Sequence, residues 1–161
     1  MKKMKILLIF MVIILIFGGC KPKVERTQAD KAYHEYCLIY VDIFATDKIS
    51  ENWDEKRIEY LNSKEFEVKY EKLKTSVENY RAIISNEELG FLRSMEEDIE
   101  TADKFIYYAE KYKETGKYQI NEITNEERLE TALLQDFIKI TWNSKMKILE
   151  VWKKTIPVYK D

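Results

Sequence analysis

Between residues 66 and 84 large apolar side chains return every three or four positions: Phe66, Tyr70, Leu73, Val77, Tyr80 and Ile84. That spacing lines one face of an α-helix and cannot serve a strand, whose side chains alternate. Similar stripes run through Tyr33, Cys37, Tyr40 and Phe44, and through Leu92, Met95, Ile99, Ala102, Ile106 and Ala109. A last one reads Leu129, Leu133, Phe137 and Ile140, continuing at Ile148, Val151 and Trp152. Each stripe has to be buried against another helix. Breakers are scarce: beyond residue 20 the chain has only Gly90, Gly116, Pro22 and Pro157. A β-sandwich would need many more turn residues.

The breaks between stripes carry helix-end chemistry. A first helix starts near Val24 or Thr27 and ends at Ala45, and Ser50 or Asn52 can cap the next. That second element spans 51–84, with a kink or short break expected at Asn62–Ser63, where its stripe changes phase. Ser85 with Glu88 makes a capping box, flanked by Ile84 and Leu89 as a hydrophobic staple. Acids crowd the first half of the third helix and lysines the second, which complements the helix dipole. Gly116 stops it. Thr124 with Glu127 makes a second capping box before the last helix, which Pro157 ends. The expected fold is all-α: an antiparallel bundle of four helices with coiled-coil-like packing. A three-helix bundle with a long bent hairpin is the alternative.

The N-terminus has a different character. Lys2, Lys3 and Lys5 precede an uncharged apolar run over 6–17, which ends in Gly18-Gly19-Cys20-Lys21-Pro22. As a helix the run reaches about 18 Å, short of the roughly 30 Å hydrocarbon core. It fits the apolar segment of a secretory signal peptide. With small residues before the cysteine, it resembles the lipobox of bacterial lipoproteins, over about the first 21 residues. Phe17 stands where that family usually has Leu. The resemblance implies cleavage between Gly19 and Cys20 and a diacylglycerol on the Cys20 thiol. Residues 1–19 would be the signal peptide, 20–26 the lipidated cysteine and a short tether, and 27–161 the helical domain. The protein would then sit at the cell membrane or outer membrane, lipid-anchored and facing away from the cytoplasm. In such lipoproteins an Asp after the cysteine favours inner-membrane retention, so Lys21 points to the outer membrane.

Charge narrows the partners. The chain has 27 basic and 29 acidic residues, and losing the three signal lysines leaves the domain near −5. No basic patch stands out, which argues against nucleic acid. Cys37 is the one cysteine beyond Cys20, so no intrachain disulfide staples the exported domain. Cys37 lies on an apolar stripe and reads as a packed thiol of low reactivity. The single histidine, His34, has no Glu-x-x-His partner and reads as a solvated helix residue. No phosphate loop, haem motif, metal cluster or nucleophile elbow occurs. The expectation is no enzyme, no cofactor and no metal. Aromatics are the remaining lead, at 13% of the chain with 11 tyrosines. Too many for one narrow core, some are expected outside, where they suit interfaces. Tyr107, Tyr108, Tyr112, Trp53 and Trp142 are the candidates. The sequence therefore points to a protein-interaction or accessory lipoprotein with an unidentified protein partner and possible homo-oligomerisation. The alternative is a small-ligand-binding envelope lipoprotein.

Overall fold

The computed structural model describes residues 28–45, 55–84, 89–116 and 124–155. The signal segment, Gly19, Cys20, the 20–26 tether, Trp53, the Ser85–Glu88 capping box and Pro157 lie outside them. The described residues form five helices and no strand. They are α1 (Gln28–Ile43), α2 (Glu55–Leu61), α3 (Lys64–Ile83), α4 (Leu89–Thr115) and α5 (Asn125–Thr155). The fold is all-α, with five helices rather than the expected four. The extra one comes from the phase change: the 51–84 element is split at Asn62–Ser63 into α2 and α3. Ser63 adopts an extended backbone, and its Oγ accepts from the Phe66 amide at 3.1 Å. That bond satisfies one of the orphan donors of the new helix.

The four long helices form a ring in which α1 neighbours α3 and α5, and α4 neighbours α3 and α5. Every neighbouring pair runs antiparallel. Phe44 meets Phe66 and Tyr33 meets Tyr80 between α1 and α3. The Tyr70 hydroxyl donates to Asp103, and Arg81 pairs with Glu96, between α3 and α4. Tyr108 bonds Glu130 and Lys145 bonds Asp98 between α4 and α5. Trp142 reaches Val41 and Trp152 reaches His34 between α5 and α1. The short α2 lies against α4 and α3. Its Ile58 packs with Tyr108 and Tyr112 as a second small core.

The expected core stripes of α1 and α3 are buried, as are Leu92, Met95, Ala102 and Ala109 of α4. Gly116 ends α4 with a positive φ of 64°, a left-handed geometry that glycine adopts without steric penalty. Thr124 and Glu127 form the expected reciprocal box: each backbone amide donates to the other's side chain at 3.2 Å. Only α5 departs from expectation in the face it buries.

The Ser63 cap separates two short helical registers, so it has an energetic signature. Ser63→Ala is expected to lower unfolding free energy by about 1 kcal/mol, measured by urea denaturation. Ser63→Gly is expected to cost only a few tenths of that.

Candidate functional site

Helix α5 has two apolar faces on opposite sides. Leu134, Ile138, Trp142, Ile148, Leu149 and Trp152 pack into the main core. Leu129, Leu133, Phe137, Ile140 and Val151 point to solvent, with Leu129 and Ile140 each 64% exposed and Leu133 61%. The expected core stripe of this helix is therefore its outer face, Ile148 and Trp152 excepted. The reason is a charge. Asp98 of α4 is buried among apolar side chains and needs a cation. Lys145 of α5 supplies it, Nζ to Oδ2 at 2.7 Å, with both side chains 4% exposed. Turning α5 by half a revolution would seat the exposed stripe but carry Lys145 away and leave Asp98 unpaired.

The ion pair sits in a cage of tyrosines from α1. The Tyr36 hydroxyl donates to the same Asp98 oxygen at 2.9 Å. The Lys145 ammonium lies 5.0 Å from the Tyr36 ring centre, 5.1 Å from Tyr40 and 5.9 Å from Tyr33. Tyrosines spaced at three and four residues on one helix face build this wall. Desolvating an ion costs several kcal/mol even after relaxation. A short ion pair, a charge-assisted hydrogen bond and cation–π contacts of about 2 kcal/mol offset that cost. Burial is the largest cause that raises the Tyr36 phenol well above its usual range, with Asp98 second. Burial likewise raises Tyr40 and Tyr33. Cys37, wholly buried behind them, is pushed up to about 11 by burial, so its thiol is inert, as the stripe implied.

Chemically this centre is self-supplied. Its cation is the chain's own, so the aromatic cage is already filled. Among the described residues no group of three or more His, Cys, Asp and Glu could hold a metal. His34 is buried rather than solvated, because its ring stacks on Trp152 with centres 5.0 Å apart. A shallow open groove of about 380 Å³ lies between α3 and α4, lined by Glu71, Lys74, Glu78, Arg81 and Glu96 among others. Its charges serve each other: Arg81 pairs with Glu78 and Glu96, and Lys74 with Glu71.

The aromatic residues expected at a surface are mostly inside. Tyr112 and Tyr108 are buried, around Ile58. α2 packs over them, and Tyr108 keeps its hydroxyl on Glu130. Trp142 is half-buried and donates its indole N–H to the Val41 carbonyl at 3.0 Å, tying α5 to α1. Tyr107 alone of the described candidates stands exposed, at 58%. What the residue-by-residue reading missed is the outer stripe of α5. The available signal was a helix with apolar residues on two faces and a lysine on one of them.

No protein-family model, curated protein or solved structure matches this chain.

Two outcomes follow from the buried centre. Asp98→Asn leaves the Lys145 charge without its counter-ion and is expected to cost about 3–5 kcal/mol in denaturant unfolding. The apolar double variant Asp98→Leu with Lys145→Met is expected to recover most of that loss. Alkali is the second test. The native state holds Cys37, Tyr33, Tyr36 and Tyr40 protonated above their ordinary values of 9.0 and 10.0. The unfolded chain ionises first, so it binds fewer protons and stability falls as pH rises. The contribution is whole below about pH 9 and is lost progressively toward and beyond pH 11. A melting temperature that stays level across that range would contradict the buried phenols.

Proposed function

We propose that this chain is an exported, lipid-anchored lipoprotein whose helical bundle is a protein-interaction or accessory module at the cell envelope. The observation that carries the interaction half is the outer face of α5. Four large apolar residues, Leu129, Leu133, Phe137 and Ile140, are held exposed on a continuous helix of 31 residues. Scattered exposed apolar residues need no explanation, but a contiguous stripe on a rigid element marks a contact surface. The self-filled aromatic cage and the self-paired groove offer little to a small ligand, which favours a macromolecular partner. The Gly19-Cys20 junction after an apolar segment supports the anchoring half, and the described helices include none long and apolar enough to cross a membrane. Acyl chains on Cys20 would supply localisation, each buried methylene adding about 0.8 kcal/mol.

Two measurements test the halves separately. In cells given labelled fatty acid, the full-length chain is expected to take up label, and Cys20→Ala is expected to abolish it and leave the longer precursor. Equal labelling and cleavage of Cys20→Ala would refute the anchor. For the surface, Ile140→Lys is expected to remove co-purifying protein at least tenfold while leaving the melting temperature within a degree or two, since surface changes cost about 0.5 kcal/mol or less.

A further inference from the structure

Some positions on the outer face of α5 are related by symmetry about Ile140. Leu129 and Val151 stand about three helical turns to either side of Ile140, and both are exposed. A step of about eleven residues returns to nearly the same side of an α-helix, so the three share one line. About four turns from Ile140, the same face carries Glu126 at one end and Lys154 at the other, both exposed. Nearer the centre come exposed Asp136 on the N-terminal side and exposed Lys147 on the C-terminal side. The face is apolar from Leu129 to Ile140 and again at Val151, with exposed Asn143, Ser144 and Lys147 between and Glu150 on its flank; the charges along its line are acidic before Ile140, at Glu126 and Asp136, and basic after it, at Lys147 and Lys154.

We infer that this face pairs with the same face of a second copy of the chain, antiparallel, with the two-fold axis at Ile140. This deepens the interaction reading, on which it rests, by naming the partner. In that arrangement Ile140 meets its own copy, and Leu129 meets Val151 of the partner subunit. Glu126 falls opposite Lys154 of the partner subunit, at both ends by symmetry. Lys147 lies opposite Leu133 of the partner subunit, covering it with its aliphatic stem and bringing its ammonium toward Asp136. The contact line from Leu129 to Val151 is about 33 Å long. A parallel pairing would set acids against acids and lysines against lysines, which is unfavourable. A bilayer surface suits the face less well, because Glu126 and Asp136 interrupt it where an interfacial helix carries lysines on its polar flanks.

The test uses the full-length chain in cells. Differently tagged copies carry Leu129→Cys or Val151→Cys, and mild oxidation follows. A disulfide between Leu129→Cys in one copy and Val151→Cys in the other is expected, several-fold above the parent chain. Two copies of Leu129→Cys are expected to stay at the parent level. Glu126→Lys is expected to lower the mixed yield several-fold, and adding Lys154→Glu to restore it. A mixed yield no higher than the parent's would overturn the pairing, and so would preferential linkage of Leu129→Cys to itself. A photo-activated cross-linker in place of Ile140 separates the two readings. An adduct of twice the chain's mass carrying both tags supports the self-pairing. An adduct of another mass overturns it while leaving an interaction surface in place, and the lack of any protein adduct overturns both.

Discussion

The 2.7 Å contact between Asp98 and Lys145 decides how the rest of the bundle is arranged. It is the point where α4 and α5 must agree in both register and rotation, because neither charge tolerates burial alone. Tyr36 on α1 adds a hydrogen bond to the same carboxylate oxygen, so three helices are indexed against one group. Hydrophobic contacts cannot do this. Apolar burial does not choose between two similar apolar faces of one helix, whereas a misplaced buried ion costs several kcal/mol. The ion pair therefore adds little net stability but fits one arrangement of the ring.

From that constraint the use of tyrosine follows. Tyr33, Tyr36 and Tyr40 give the cation three aromatic faces, and their flat rings also fill the space between α1 and the other helices. Elsewhere the phenol hydroxyl finds a partner on the next helix. Tyr70 donates to Asp103 at 2.9 Å, Tyr60 to the Ile43 carbonyl at 3.0 Å, and Tyr108 to Glu130. Tyr36, Tyr60, Tyr70 and Tyr108 are thus both packed rings and inter-helix ties. This explains how so many fit where a narrow core of aliphatic residues would not admit them. It also leaves the leucines, phenylalanine and isoleucine of α5, rather than most of the tyrosines, exposed to solvent.

Much of the local structure was legible in the residues. The stripes of α1, α3 and α4, the Thr124–Glu127 box, the Gly116 stop and the weak point at Asn62–Ser63 are all determined within a few residues. The tyrosine pairings were not legible, because an exposed and a buried phenol look alike until the acceptor on another helix is placed. Tyr112 and Tyr108 illustrate this, since Ile58 of the short α2 and Leu134 of α5 together pack around them. The outer stripe of α5 was visible as a pattern and assigned to the wrong side.

By itself, then, the sequence determined that the domain is all-α, where the 51–84 element breaks, where α4 ends and α5 begins, and which faces three helices bury. It did so because caps, breakers and periodicity act over one or two turns. Tertiary structure alone decided which face of α5 points inward. Two apolar faces made the choice degenerate in hydrophobic terms, and a charge on a different helix broke the tie. The same decision created the exposed stripe, so the candidate contact surface is a consequence of how a buried carboxylate is neutralised.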